Sequence, residues 1–509
     1  MIRPAARPGH TRPGRADDRR AATPGSDPNP RRTRSEPVTP VTDPAEAAAA
    51  QRAVEAELIG RWPETKLDPS TDRVVALMDV LGEPQRAYPV IHITGTNGKT
   101  STARMIEALL RAFQLRTGRF TSPHVESMTE RISLDGEPIS AERFVETYRD
   151  ILPYIDIVDA AQPYRLSFFE VITAMAYAAF ADAPVDVAVV EVGMGGTWDA
   201  TNVVDGTVAV VTPIALDHVA RLGVTPGEIA VEKAGIIKKD SLVVLAQQPV
   251  DAAEALIRRA VEVDATVARE GMEFGVVRRD LAVGGQLLTL RGLAGEYEDV
   301  FLPLHGSHQA HNAAVALAAV EAFMGVGVAD RPGLTSGGAL NADLVREAFA
   351  SVTSPGRLEI VRRSPTVLID AAHNPAGARA VAQAMTDSFD FRHLVGVVGV
   401  MGDKDVRGVL EALEPVLAEV VVTQNSQPRA MPVDELAALA VEVFGADRVD
   451  VQPALPDAIE AAVTLAEEEG DLGGAGVLIT GSVVTVGEAR VLLKGADTGG
   501  AGHRNGRDA

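Results

Sequence analysis

The 509-residue sequence predicts an α/β fold with two domains, each built on a parallel sheet covered by helices on both faces. Near-continuous apolar runs of strand length recur along the chain, as strands buried on both faces require. Helical patterns fall between many of these runs, and this alternation is typical of parallel sheets. One strand, at 90–94, also leads through a glycine-rich turn into a helix-forming stretch at 103–113.

The remaining elements follow the same alternation. Further strands are predicted at 185–192, 207–212, 242–246, 366–369, 394–400, 420–423 and 477–480, and a short one at 117–120. Clear helical patterns lie at 313–323 and 433–444. The stretch around 270–303, with short runs at 276–279, 287–291 and 299–302, is typical of antiparallel hairpins instead.

Differences in composition and a turn-forming break divide the chain into four parts. Residues 1–45 hold nine Pro, nine Arg and only five acidic residues, which predicts a disordered tail without the apolar core of a signal peptide. A break at 353–356 separates an N-terminal domain, 46–352, from a C-terminal domain, 357–494. Residues 495–509 are rich in glycine and polar groups, and we expect a flexible tail there.

Bulk properties exclude several classes of protein. The net charge of −22 argues against a nucleic-acid binder, and no apolar run approaches the ~18 residues that cross a membrane. The chain has no cysteine, which excludes disulfides, cysteine nucleophiles and thiolate metal sites. A cysteine-free globular chain fits a cytoplasmic location.

The turn after the first strand has the layout of a phosphate-binding loop. Its glycines let backbone N–H groups and the helix N-terminus face anionic oxygens, and Lys99 adds a positive charge. Thr100 or Ser101 offers a hydroxyl to phosphate or Mg²⁺. The usual pattern places its first glycine where Ile93 stands, so an ordinary strand–turn–helix connection is the alternative interpretation.

Polar residues near other strand ends predict a metal site, because ligands bind outside the carboxyl ends of parallel strands. Glu191 interrupts an apolar strand, Asp217 and His218 follow the next one, and Lys233 lies on the helix after that. Carboxylate and imidazole groups suit Mg²⁺ when nucleotide oxygens and water complete its shell. Taken singly, Glu191 could form a structural ion pair and His218 could be a core histidine.

Three further clusters lie in the expected ligand zone. They are the turn at 121–125, the segment 370–375 and the segment 399–405, each at the end of a predicted strand. By itself the segment 121–125 is only a turn, and helix capping and turn formation would explain each of the other two clusters equally well.

Together these motifs resemble the bifunctional dihydrofolate synthase/folylpolyglutamate synthase family of the Mur ligase superfamily. The resemblance runs from about Arg61 to Arg490. It is carried, in chain order, by the motifs at 92–99, 121–124, 130–132, 167–170, 191–196, 199–202, 216–218, 232–236, 306–309 with Asn312, 355–359, 370–375, 403–405, 480–482 and 487–488. So many motifs in one order are highly specific.

The resemblance implies a P-loop ATPase-like domain of the Mur ligase central type followed by a Rossmann-like ligase domain. It also implies ATP and two Mg²⁺ ions as cofactors, with Lys99, Glu191, His218 and Lys233 as the catalytic residues. Ser122 and Glu191 would bind one Mg²⁺, and Glu191, His218 and a carbamylated Lys233 would bind the other. The ATP site would comprise Thr96, Asn97, Gly98, Lys99, Thr100, Ser101, Asn312, Arg357 and Asp370.

The implied reaction joins L-glutamate to dihydropteroate, and to the glutamate tail of tetrahydrofolate, through an acyl phosphate. Phe168, Phe169, Glu170, Trp198, Asp199 and Ala200 would line the pterin pocket, and His373 and Ser482 would lie near the glutamate site. A monomer is expected from the family.

Two departures from the family pattern bear on the alternatives. Thr100 stands where the family commonly has glycine, a form shared with the Mur ligases that act on UDP-linked cell-wall precursors. Thr197-Trp198 stands where the family often has arginine, which affects the substrate contacts. Only about 45 foldable residues precede the P-loop strand, too few for the UDP-binding domain of those ligases. A non-enzymatic nucleotide switch is the other alternative, and it would not need the full metal set.

Overall fold

The computed structural model describes residues 43–62, 69–325, 338–468 and 474–500, with backbone only at 495–500. Residues 1–42 of the predicted N-terminal tail lie outside the described residues. Its last residues, Pro44 and Ala45, belong instead to the first helix, which Asp43 caps through its side chain. None of the described helices is long and apolar enough to cross a membrane.

The N-terminal domain contains a mixed sheet of eight strands. Its helices are α1 (Pro44–Ile59), α2 (Asp72–Leu81), α3 (Lys99–Ala112), α4 (Ala141–Ala161), α5 (Phe168–Asp182), α6 (Val219–Leu222), α7 (Pro226–Lys233), α8 (Val250–Glu262), α9 (Ser307–Met324) and α10 (Ala342–Ala350). Its strands are β1 (Val90–Thr94), β2 (Thr117–Phe120), β3 (Ile132–Leu134), β4 (Glu137–Pro138), β5 (Val187–Glu191), β6 (Val208–Val211), β7 (Leu242–Leu245) and β8 (Thr266–Arg269). The strand order is β4-β3-β2-β5-β1-β6-β7-β8, and only β3 and β4 run antiparallel to their neighbours.

A second, three-stranded sheet extends the same domain. Strands β9 (Gly275–Ala282), β10 (Gly285–Arg291) and β11 (Glu296–Leu302) form antiparallel hairpins, which confirms the prediction for 270–303. Leu288 and Val300 of this sheet share one hydrophobic core with Ile91 of β1 and with helices α3, α9 and α10. The opposite face of the large sheet packs against α1, α2, α4 and α5.

The C-terminal domain is a separate six-stranded sheet. It comprises β12 (Glu359–Arg363), β13 (Thr366–Asp370), α11 (Pro375–Ser388), β14 (His393–Val398), α12 (Val406–Leu413), β15 (Glu419–Gln424), α13 (Val433–Phe444), β16 (Val449–Ala454), α14 (Leu455–Glu468), β17 (Ala475–Thr480) and α15 (Val483–Gly500). The strand order is β12-β13-β17-β14-β15-β16, with only β12 antiparallel. Apolar clusters cover both faces of this sheet.

The fold class is therefore the predicted one: two α/β domains, each with a mainly parallel sheet. At the C-terminal end the backbone of α15 is helical to Gly500, and the flexible tail expected from 495 stays a prediction. In each sheet the strands are added first on one side of a given strand and later on its other side. In the N-terminal sheet this strand is β1, between β5 and β6, and ligands of open α/β sheets bind where the side changes.

Candidate active site

A cavity of about 430 Å³ lies where the carboxyl ends of the two sheets meet. It is lined from the N-terminal domain by the P-loop and by the predicted metal ligands Ser122, Glu191, His218 and Lys233. The C-terminal domain contributes Arg357, Asp370 and His373. The structure thus brings together the predicted catalytic, metal and nucleotide residues from segments far apart in sequence.

The P-loop connects β1 to α3 in the predicted geometry. Gly98 precedes α3 with φ 88°, a left-handed conformation that favours glycine. A Cβ atom there would lie 2.5 Å from Asn312 Oδ1, so the close approach of α9 also requires glycine. Lys99 Nζ donates to the carbonyl oxygens of Gly95 (3.2 Å) and Thr96 (3.1 Å), which folds the ammonium group back over the loop.

Glu191 is the acidic centre of the cavity and is 1% exposed. Its carboxylate accepts hydrogen bonds from Thr100 Oγ1 (2.9 and 3.0 Å) and from the backbone N–H of Ser122 (3.4 Å). Burial raises the pKa of Glu191, and the Lys99 charge opposes this rise. The hydrogen bonds that it accepts within the described residues come from a hydroxyl and an N–H, so the alternative of a structural ion pair is wrong.

The two P-loop hydroxyls have different surroundings. Thr100 contacts Glu191, whereas Ser101 is buried and its Oγ lies 3.1 Å from Ser354 Oγ in the linker between the domains. Of the two candidates for a hydroxyl ligand, the structure therefore places Thr100 beside the predicted metal site.

Lys233 ends α7 with its ammonium group inside the protein. The residue is 4% exposed, and Nζ donates to Gly95 O at 2.8 Å. Burial, with some contribution from the positive charge of Lys99, lowers the pKa of Lys233 to about 7. An amine of this kind is largely neutral at physiological pH, which is the form that reacts with CO₂.

Asp217 joins the two domains at the edge of the cavity. Its Oδ1 accepts from Lys404 Nζ at 2.6 Å, and its Oδ2 accepts from Asn374 Nδ2 at 3.2 Å and lies 3.4 Å from His373 Nε2. Burial opposes ionisation, but the contact with His373 and the charge of Lys404 outweigh it and hold the pKa of Asp217 well below its usual range. The carboxylate therefore carries a full negative charge between the domains.

His218 is not a core histidine, because its side chain is 31% exposed and lines the cavity. Its Nε2 accepts from Lys404 Nζ at 3.3 Å. Burial of its ring lowers the pKa of His218 to about 4, against the opposing charge of Asp217. The imidazole is therefore neutral at pH 7, and its lone-pair nitrogen Nε2 is the atom that a metal ion would bind in place of Lys404.

A second contact between the domains forms through two side-chain amides. Asn97 Nδ2 donates to Asn374 Oδ1 at 3.2 Å, and Asn374 Nδ2 donates back to Asn97 Oδ1 at 3.1 Å. Asn374 also caps α11 through the N–H of Gly377 at 2.8 Å. Helix capping and contact with the P-loop are thus performed by the same residue.

Three predicted nucleotide contacts line the cavity beside the P-loop. Asn312 lies on α9, with its Nδ2 donating to Gln309 Oε1. Asp370, at the end of β13, accepts from the N–H groups of Leu358 and Ala372, and burial raises its pKa. Arg357 stands at the start of the C-terminal domain, so the predicted nucleotide residues also come from both domains.

The predicted pterin residues do not line this cavity. Glu170 is turned to Arg73 (2.9 Å) and to the N–H of Ser167, where it completes a capping box for α5. Phe168 is buried under the Arg131 guanidinium, and Ala200 and Trp198 belong to apolar clusters. These side chains form the protein interior next to the cavity.

Phe169 and Asp199 support the cavity from behind. Asp199 Oδ2 accepts from the N–H of Met194 at 2.8 Å, and a Cβ atom on Gly193 would lie 2.4 Å from Phe169 Cζ. Gly193 and Met194 themselves face the cavity. Ser482 also stays out of it, since its side chain is buried and contacts Asn425 and Thr485, while the next residue, Val483, does line the cavity.

Comparison with known proteins agrees with this architecture. Residues 93–320 match the family described as the Mur ligase middle domain, and residues 356–483 match the Mur ligase glutamate ligase domain. The chain is 54% identical over 476 residues to the dihydrofolate synthase/folylpolyglutamate synthase of Mycobacterium tuberculosis, covering 89% of this chain and 96% of that one.

The chain belongs to the dihydrofolate synthase/folylpolyglutamate synthase family. Relatives include the Escherichia coli protein of the same description, 32% identical over 372 residues, with 73% of this chain and 81% of that one covered. The structure resembles M. tuberculosis folylpolyglutamate synthase complexed with ADP, with a TM-score of 0.83, 54% identity and coverage of 88% and 99% of the two chains. It also resembles E. coli FolC in complex with DHPP and ADP, with a TM-score of 0.75, 29% identity and coverage of 89% and 99%.

Several residues of this family member's site had no role assigned from the sequence. Lys404, Asn374 and Asp217 form the contact between the domains, although all three lie in motifs at predicted strand ends. Their position at predicted strand ends was the feature of the sequence that could have indicated a role in the site. Glu270 and His311, which pair at 2.5 Å on the wall of the cavity, had no such signal, because no motif connects residues 41 positions apart.

Proposed function

We propose that this protein is an ATP-dependent ligase that joins L-glutamate to dihydropteroate and to the glutamate tail of tetrahydrofolate. The supporting observation is one cavity between two domains in which Lys99, Glu191, His218 and Lys233 converge beside the P-loop. A P-loop that only bound nucleotide would not need the last three. Membership of the family gives the class of acceptor.

The reaction has to activate a carboxylate, because a carboxylate does not acylate an amine at neutral pH. Transfer of the γ-phosphoryl group of ATP gives an acyl phosphate and ADP. The amine of glutamate then attacks the acyl carbon, phosphate leaves, and the amine loses a proton. The protein needs no covalent nucleophile for this sequence, since positioning and charge stabilisation are sufficient.

Each part of the cavity has a task in this scheme. The loop N–H groups and Lys99 would hold the phosphate oxygens and stabilise the charge that develops during transfer. Arg357 and Asp370, which line the cavity from the C-terminal domain, would contact the nucleotide. The contacts of Asp217 and Asn374 would keep the domains together over the acyl phosphate and exclude water that would hydrolyse it.

The donor set fits the predicted Mg²⁺ sites. Among the described residues, no three or more His, Cys, Asp and Glu side chains are grouped to hold a metal by themselves. The site would therefore use Glu191 and neutral His218 with the Ser122 hydroxyl, phosphate oxygens and a carbamate on Lys233. Mg²⁺, when bound, supplies neutralisation of the phosphate charge. The lowered pKa of Lys233 supports carbamate formation.

The pterin would bind in the space beside Phe168, Phe169, Glu170 and residues 198–200. L-Glutamate would bind on the side of His373 and Ser482. Phe169 and Asp199 would act through the Gly193–Met194 wall that they support. We also propose a monomer acting in the cytoplasm.

The test is ADP release by the purified protein with MgATP and L-glutamate, with dihydropteroate or tetrahydrofolate in separate reactions. Release with both acceptors identifies a bifunctional enzyme, and release with one restricts it to that activity. Lys99→Ala should abolish ADP release. Lys239→Ala, at an exposed position, is the matched control and should leave ADP release unchanged. A folded protein that binds ATP and acts on neither acceptor would refute the proposal.

A further inference from the structure

A second cavity, of about 520 Å³, lies on the other side of the segment that forms one wall of the active site. We call it the cationic groove, and its charged lining consists of Lys238, Arg258, Arg259 and Glu262. Three positive side chains thus face one carboxylate. This is unusual in a chain with a net charge of −22, and it marks the groove as a place where an anion would bind.

The positive groups of the groove are poorly neutralised within the described residues. Arg259 Nε is buried without a hydrogen-bond partner, and its guanidinium comes only within 3.8 Å of Glu262. Lys238 Nζ reaches Asn202 O at 3.5 Å, and Arg258 is exposed and forms no ion pair within the described part of the chain. Burial and the nearby charge of Arg259 lower the pKa of Lys238, against the opposing charge of Asp205.

The floor of the groove is also incompletely hydrogen-bonded. Asn202 Nδ2 donates to the carbonyl oxygens of Thr197 (3.0 Å) and Gly235 (3.3 Å), while its Oδ1 is buried and has no partner. A ligand that offers both anionic oxygens and an N–H donor would satisfy these groups. Carboxylates joined by amide bonds have this combination, with anionic oxygens and N–H donors alternating along one chain.

Only one layer of backbone separates the groove from the active site. Gly195 and Lys233 line the active-site cavity, whereas Thr197 and Gly235, each two residues later, line the groove. Thr197 donates from N and Oγ1 to Glu232 O at 3.0 Å each, and a Cβ atom on Gly235 would lie 2.3 Å from Thr197 Oγ1. The groove therefore adjoins the segment that also carries Trp198 and Asp199.

We propose that the cationic groove binds the α-carboxylates of the γ-linked glutamate chain on the folate acceptor. This inference rests on the proposed function, in which each cycle adds one more carboxylate to that chain. Three cations along one groove suit a ligand with several carboxylates, and the backbone amides of the chain supply donors for Asn202 Oδ1. Dihydropteroate carries no glutamate and would not use the groove.

The kinetic test compares Arg258→Gln/Arg259→Gln and Lys238→Gln with Lys239→Gln. Lys239 is the exposed neighbour of Lys238 and does not line the groove, so it is the matched control. We expect KM for tetrahydrofolate triglutamate to rise about fivefold for each charge removed, as for other partly exposed ion pairs. KM for ATP and for dihydropteroate should not change, and neither should kcat. An unchanged KM for the triglutamate acceptor in the double variant would overturn the proposal.

A binding experiment separates this inference from the proposed function. The probe is a fluorescent γ-linked triglutamate peptide, measured by anisotropy on the full chain at low and high salt. We expect binding that weakens with salt and that is lost in Arg258→Gln/Arg259→Gln. Inorganic phosphate that displaces the peptide at equal concentration would assign the groove to phosphate and overturn the proposal. If the wild-type protein releases no ADP with any acceptor, the function fails, but the peptide still tests the groove.

Discussion

The buried amine of Lys233 gives a prediction in which stability and activity change in opposite directions. Its pKa is about 7 in the folded protein against the ordinary value of 10.5, and this difference corresponds to about 5 kcal/mol. At pH 7.5 about three quarters of the buried amine is neutral, compared with about one in a thousand for an ordinary lysine. The folded state therefore pays for a buried ammonium group only when the pH is low.

The sign follows from proton binding. Between pH 7 and 10.5 the unfolded chain keeps the Lys233 proton and the folded protein has released it, so the free energy of unfolding rises with pH over this window. Below pH 7 both states hold the proton, and the full penalty is present. Lys233→Met removes the penalty and loses the hydrogen bond to Gly95 O, which contributes about 1 kcal/mol.

We therefore expect Lys233→Met to raise the free energy of unfolding at pH 6 by as much as about 4 kcal/mol, and to have almost no effect near pH 10. Urea unfolding of the metal-free protein at pH 6, 8 and 9.5 measures this, with Lys239→Met as the control at an exposed site. Equal stability of wild type and Lys233→Met at pH 6 would refute the reasoning about burial.

The same variant should be inactive because it cannot form the carbamate. Incubation with ¹³C-labelled bicarbonate followed by NMR should show a carbamate carbon in the wild type and in Lys239→Met but not in Lys233→Met. A carbamate signal that persists in Lys233→Met would place the modification on another amine. A wild type that shows no signal but has full activity would remove the carbamate from the mechanism.

Three more changes test other parts of the site. Glu191→Gln should abolish ADP release with an unchanged circular dichroism spectrum, and retained turnover would contradict its catalytic role. Lys404→Met leaves the buried Asp217 carboxylate without its ammonium partner and should lower the free energy of unfolding by about 3 kcal/mol, an effect that adding Asp217→Asn should largely reverse. Gly98→Ala, at φ 88° and against Asn312, should weaken ATP binding at least tenfold by calorimetry, and unchanged affinity would show that the loop tolerates the Cβ.

Local patterns were enough to predict the strands that build both sheets. The run at 242–246 became β7 (Leu242–Leu245), and the helical pattern at 433–444 became α13 (Val433–Phe444) with the same bounds. Both predictions succeeded because burial on two faces leaves a nearly continuous apolar run in a strand, and burial on one face leaves a helical period. Helix α15 packs on the sheet through residues such as Val486 and Ala489 and its backbone continues to Gly500, so the flexible tail expected from 495 stays a prediction.

The candidate site was predicted best where a residue's role depends on its own loop. Gly98 and Lys99 occupy the P-loop positions that the sequence predicts, and Glu191 stands at the end of β5. The prediction was weaker for Glu170 and Ser482, which were assigned to substrate. Their oxygens are used by Arg73 and by Asn425 and Thr485, and such partners, distant in the sequence, are visible only after folding.

The sequence by itself determined the family, the two α/β domains and the chemical types of the groups proposed to be catalytic, because motifs and periodicity are properties of short segments. Only the tertiary structure decided which charges meet. Asp217 and Lys404 are 187 positions apart yet lie 2.6 Å from each other between the domains. The ionisation of Lys233 and His218 was likewise decided by burial among distant segments, since a pKa depends on the solvent and charges around a group and not on its neighbours in the chain.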